Sequence, residues 1–152
     1  MENIKTTFEG IIEHLNQKGI RPIIYGSLGL NLELGTNLKA NDIDLIIEKP
    51  NEFSICKKVL EEMGFTIDPE HERELNRNGL YVSFLDKVDL EKLISEPLDV
   101  HESRINNSVF FNITPAQYLK IYTNGLAGEY RKVKREKDDL SKISLIKAYI
   151  GN

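Results

Sequence analysis

Two short stretches carry most of the information in this chain: Ile24-Tyr25-Gly26-Ser27-Leu28-Gly29-Leu30 and, further on, Asn41-Asp42-Ile43-Asp44-Leu45-Ile46. The first is an apolar run broken at Gly-Ser, and the second is an apolar run that contains two carboxylates. Side chains alternate along a strand, so Asp42, Asp44, Ile46 and Glu48 share one face while Ile43, Leu45 and Ile47 share the other. The aliphatic face can pack on helices. The acidic face cannot be buried bare, because an unpaired carboxylate in a dry interior is very costly. Two aspartates about 7 Å apart along a strand also repel each other unless a cation lies between them. Magnesium suits such a pair, since it takes hard oxygen ligands, typically one or two carboxylates with waters and substrate phosphates. Gly26 lets the backbone approach a ligand closely. Ser27 is expected as the N-cap of a helix over Leu28–Leu34, where it offers a hydroxyl and backbone N–H groups to a phosphate. One half of the pattern suits a metal, the other a polyphosphate.

Upstream, Ile4, Phe8, Ile11, Ile12 and Leu15 recur at helical spacing and Gly19 supplies a stop. Ile23-Ile24-Tyr25 reads as a short buried strand, and residues 42–48 as a second. Pro50-Asn51 introduces a helix with Phe53, Ile55, Val59, Leu60 and Met63 inside, closed by Gly64. Phe65-Thr66-Ile67 reads as a short strand. Residues 68–78 are too polar to bury and are expected as a turn or loop. Leu80–Leu85 and Val109–Ile113 read as strands, and Thr114-Pro115 as a cap followed by proline at the first helical position. The rest is expected to be helical, with two helices meeting around Arg131–Lys137. This order predicts an α+β fold: a small mixed β-sheet with helices mainly on one face. It reads as one domain over residues 1–152, with a helical C-terminal portion from about residue 114.

The length of 152 residues suits one domain with one core. Hydrophobic residues make up 40% and charged residues 29%, which fits a soluble globular protein. No apolar run reaches the roughly 18 residues of a transmembrane helix, and the N-terminus lacks a basic segment leading into an apolar one. Cytoplasmic location with no membrane partner is the expectation. The one cysteine, Cys56, excludes an internal disulfide and reads as a small core residue. A net charge of −4 argues against broad duplex binding, which needs clustered cations.

The conjunction of strand, Gly26-Ser27, helix, loop and Asp42-Ile43-Asp44-Leu45 resembles the nucleotidyltransferase superfamily, specifically over residues 22–48 and architecturally elsewhere. Size and early motif resemble its minimal stand-alone members, including those found as toxin or antitoxin partners, so a protein partner is among the expectations. The resemblance implies transfer of a nucleoside monophosphate from an NTP to a hydroxyl of an unassigned acceptor, whether small molecule, protein or RNA. It implies Mg²⁺ on Asp42 and Asp44 and phosphates on Gly26 and Ser27. The gap between Ser27 and Asp42 is slightly long for the pattern. Active members also carry a third carboxylate on a later strand, where this chain has Ser83. Asp89, in Val88-Asp89-Leu90, fills the slot if the strand extends or shifts. Otherwise the site has two carboxylates, and the chain is an impaired or specialised nucleotide- or partner-binding module.

Outside the motif, Arg131-Lys132-Val133-Lys134-Arg135-Glu136-Lys137 carries five cations in seven residues. It reads either as a solvated helix face or as Lys134, Arg135 and Lys137 set against triphosphate or an acceptor nucleic acid. His14, His71 and His101 show no metal-ligand spacing among themselves or with Cys56 and are expected to hydrogen-bond at the surface. Tyr118 and Tyr122, four apart on a helix, read as core.

Overall fold

A computed structural model describes residues 3–126 and 133–151, for residues 126 and 133–138 the backbone only. Helix α1 (Ile4–Gln17) leads to β1 (Ile23–Tyr25), α2 (Gly26–Leu34), β2 (Asp42–Ile47) and α3 (Glu52–Glu62). Three strands follow, β3 (Thr66–Asp68), β4 (His71–Arg77) and β5 (Leu80–Asp86), then α4 (Lys87–Ile94). The chain closes through β6 (Val100–Ile105), β7 (Ser108–Ile113), α5 (Pro115–Leu126) and α6 (Val133–Gly151). The strands form one seven-stranded sheet in the order β3-β4-β5-β2-β1-β7-β6. β2 runs parallel to β5 and β1 parallel to β7, while the other neighbours are antiparallel. The mixed sheet and its helices make the α+β fold that the sequence indicates, with helices on both faces of the sheet where the sequence suggests mainly one.

Alternation along the central strands sorts their side chains into two clusters. Ile24, Ile43, Leu45, Val82 and Phe84 pack with Phe8, Ile11, Ile12 and Leu15 of α1 and with Cys56, Val59 and Leu60 of α3. Ile23, Tyr25 and Ile46 pack with Leu90 and Ile94 of α4, Tyr118, Ile121 and Tyr122 of α5, and Ile143 and Ile146 of α6. Each Ile, Leu, Val or Phe side chain fully buried in these clusters contributes roughly 1.5–3 kcal/mol. The acidic face of β2 therefore turns toward α4, α5 and α6, away from α1 and α3.

Three local readings are corrected. Residues 71–77, expected as loop, form β4. Asp89 lies in the first turn of α4, because β5 ends at Asp86 and the chain turns into a helix there. Ser27 is not an N-cap: α2 starts two residues earlier than expected, at Gly26, with Tyr25 in the cap position. The extended backbone of Tyr25 passes directly into the helix through Gly26, whose φ of +73° replaces the usual capping turn.

Candidate active site

The site is built where β1 gives way to α2 beside β2. In register, Tyr25 of β1 lies opposite Asp44 of β2, Asp44 opposite Ser83 of β5, and Ser83 opposite Glu74 of β4. Paired residues on neighbouring strands point to the same face, so Tyr25, Asp44, Ser83 and Glu74 form one transverse row. Asp42 begins the next row, opposite Tyr81. A cleft of about 510 Å³ lies over this face, lined by Gly26, Ser27, Asp42, Asp44, Glu74 and Ser83 on the sheet side. Leu90, Leu93, Ile121, Tyr122, Asp139 and Lys142 of α4, α5 and α6 form the opposing wall.

Gly26 is held to glycine twice over. Its positive φ disfavours any L side chain, and a Cβ there would overlap the Asp44 carboxylate. The β1–α2 junction is thus pressed against the second aspartate. Both pieces of the sequence motif line one cleft.

The remaining residues divide plainly. Asp89 is exposed and is not among the cleft's lining residues. The side chains of Lys134, Arg135 and Lys137 lie outside the described residues. Sequence reasoning alone does not reach Glu74, because the segment around it reads as a loop. It lies directly beside the slot: Ser83 Oγ donates to Glu74 Oε1 at 3.3 Å. Its other oxygen faces His71, with Nδ1 3.7 Å from Oε2. Asp68, His71 and Glu74 bring one ligand atom each to within 4.8 Å of one another. The signal that could have found Glu74 is the turn Asn78-Gly79 before Leu80, a strong hairpin signal that places an antiparallel strand upstream.

Cations also reach the cleft. Lys39, Arg73 and Lys142 line it. Arg73 is paired with Asp86 at 3.1 Å, and Lys142 Nζ lies 3.9 Å from Asp139 Oδ1. The donor set on the sheet face is all oxygen: two carboxylates on one face of β2, with a serine across from them at the helix start. That composition fits a hard divalent cation. Histidines keep to surface bonds, His14 Nδ1 at 2.7 Å from the Gly10 carbonyl and His101 Nε2 at 2.7 Å from Glu33 Oε1. Among the described residues no helix is long and apolar enough to cross a membrane.

The architecture is nucleotidyltransferase-like. A crystal structure of ANT(2'')-Ia in complex with adenylyl-2''-tobramycin superposes at a TM-score of 0.64, with 11% identity, over 95% of this chain and 88% of that one. A solution structure of ANT(2'')-Ia matches at 0.66 with 12% identity, over 99% and 86% of the two chains. The crystal structure of an antigenic nucleotidyltransferase-like protein from Paracoccidioides brasiliensis matches at 0.65 with 17% identity, over 93% and 74%. No protein-family model matches the sequence. The sequence is 30% identical over 156 aligned positions to the uncharacterized protein YnaI of Bacillus subtilis (strain 168), covering 99% of this chain and 95% of YnaI. The chain belongs to the YnaI family.

Proposed function

We propose that the protein is a Mg²⁺-dependent nucleotidyltransferase that moves a nucleoside monophosphate from an NTP to an acceptor hydroxyl. One observation carries this reading: Gly26, Ser27, Asp42 and Asp44 line a single cleft, with the Asp44 carboxylate pressed against the Gly26 backbone. Asp42 and Asp44 would hold the ion, which when bound supplies charge neutralisation for the triphosphate and the departing pyrophosphate. Ser27 and the N–H groups of the first turn of α2 bind phosphate oxygens. Lys134, Arg135 and Lys137 belong to α6, the helix that brings Lys142 to the cleft, and are assigned to the same phosphates. The Glu74 carboxylate takes the proton from the acceptor hydroxyl as its oxygen bonds to the α-phosphorus, while the bond from that phosphorus to the bridging oxygen breaks and pyrophosphate leaves. Ser83 holds Glu74 through its hydroxyl. Asp89 has no part in this assignment. The complex of ANT(2'')-Ia with adenylyl-2''-tobramycin makes a small-molecule hydroxyl the first acceptor class to test.

The test is magnesium-dependent binding of NTP analogues to the wild type, Asp42→Asn and Asp44→Asn. Loss of binding with retained folding is expected in both variants, and unchanged binding in both rejects the reading. A second reading, nucleotide binding without transfer, is favoured by Ser83 standing where a carboxylate would serve. Incubation with α-labelled NTPs, Mg²⁺ and a mixed acceptor pool separates the two, since transfer of label rejects the non-catalytic one.

A further inference from the structure

Tyr25, Tyr118 and Tyr122 form a compact triangle of near-parallel rings between β1 and α5. Their ring centroids are 5.8 to 6.3 Å apart and the planes lie within 18° of parallel. Tyr118 and Tyr122 are one helical turn apart and equally deep, at 0% and 2% exposure. Their hydroxyls nevertheless have different fates. The Tyr118 hydroxyl donates to Asn112 Oδ1 at 2.7 Å and also approaches the Ile24 carbonyl oxygen at 3.3 Å. The Tyr122 hydroxyl is buried and, among the described residues, has no hydrogen-bond partner. Buried polar groups without partners are uncommon and call for an explanation. Tyr122 differs from Tyr118 in a second way: it lines the cleft.

We propose that the Tyr122 hydroxyl donates a hydrogen bond to a phosphate oxygen of the nucleotide in the cleft, an inference that rests on the nucleotide-binding reading above. Burial first, and then the neighbouring Tyr25, Tyr118, Asp44 and Asp139, push the Tyr122 phenol well above its ordinary value. The group therefore stays protonated at neutral pH and acts as a donor. Anionic oxygens are its natural acceptors. Lys142, whose ammonium lies 5.2 Å from the Tyr122 ring centroid, brings a cation to the same wall, where Asp139, 3.9 Å from it, offsets part of its charge. Asp44, assigned to the ion that accompanies the triphosphate, is close enough to act electrostatically on the phenol. A phosphate oxygen thus suits both the Tyr122 hydroxyl and the Lys142 ammonium, while Asp44 reaches the phosphates only through the ion.

Tyr122→Phe removes only the hydroxyl and breaks no internal hydrogen bond, so the native state should melt at the wild-type temperature or higher. Tyr118→Phe is the internal control. It forfeits the bond to Asn112 and should lower the melting temperature by roughly 3–6 °C. Calorimetric titration with Mg²⁺ and each of the four α,β-methylene NTPs then reads the ligand contact. For whichever nucleotide the wild type binds, Tyr122→Phe should weaken affinity about tenfold or more. Unchanged affinity overturns the proposal and leaves the hydroxyl to a buried water. Weaker affinity together with a melting loss like that of Tyr118→Phe also overturns it, as a purely structural effect. Asp44→Asn keeps the two levels apart: if it abolishes binding while Tyr122→Phe does not weaken it, the function stands and this contact falls. A wild type that binds none of the four removes both.

Discussion

Gly26 shows how one backbone position can couple the two halves of the site. A side chain there meets two separate penalties, the left-handed backbone and the Asp44 carboxylate. Gly35, which ends α2, also has a positive φ of +70°, but a Cβ added to it meets nothing within 4 Å. The pair therefore separates strain from displacement. Gly35→Ala should cost only the backbone term, about 1–2 kcal/mol, and leave nucleotide affinity at the wild-type level. Gly26→Ala should cost more than that and, by shifting the aspartate, weaken magnesium-dependent nucleotide binding about tenfold or more. Urea denaturation and titration of the two variants measure both quantities. Equal affinities in the two would mean that Asp44 is free to move without consequence.

Elements decide which of these residues meet, and here sequence reading succeeded and failed for physical reasons. The strands from 23–25 and 42–47 were legible because aliphatic runs buried on both faces or alternating with carboxylates leave a strong pattern. β4 was not legible. Of His71–Arg77 only Leu75 is buried, since one side of the strand fronts a polar cleft and the strand lies one place from the sheet edge. β6, with no buried residue and an edge position, left equally little trace. Glu74 leaves no trace for the same reason, and the apolar residues flanking Asp89 belong to α4 and not to a strand. If Glu74 receives the acceptor's proton, Glu74→Gln should slow transfer from an α-labelled NTP by about 10²-fold or more, with nucleotide affinity within about twofold of the wild type. Pyrophosphate release and titration read the two quantities, and a parallel loss of both would make Glu74 a ligand-binding group. Between elements, Asn112 of β7 is the junction. Its amide donates to the Gly29 carbonyl of α2 at 3.0 Å, and its carbonyl accepts from Tyr118 of α5 at 2.7 Å. Asn112→Ala should therefore destabilise by about 2–4 kcal/mol, visible as an earlier urea midpoint.

At the scale of the whole molecule, the sheet separates two apolar clusters of different character. The cluster beneath α1 and α3 is aliphatic and aromatic and contains the buried thiol of Cys56. The other holds the triangle of tyrosine rings and borders the cleft. Both contain acidic groups kept neutral by burial, and this gives the fold a common weakness at high pH. Burial, followed by the nearby Glu52, pushes the Cys56 thiol from 9.0 up to about 12. Below pH 9 both folded and unfolded chains keep the proton, so the thiol has no effect on stability there. Between 9 and about 12 the unfolded chain loses it while the native chain retains it. The unfolded state then binds fewer protons, and stability falls as pH rises, by up to about 1.4 kcal/mol per pH unit. Tyr118 and Tyr122, both held well above 10.0, add the same sign from that point upward. Urea midpoints across this range should decline gently at first and more steeply once the phenols of the unfolded chain begin to ionise. Cys56→Ala should remove the first part of the decline and keep the second, and Tyr122→Phe should soften the second alone. A wild-type curve parallel to that of Cys56→Ala through the whole window would show that the thiol ionises equally in both states, contrary to its burial on the inner face of α3.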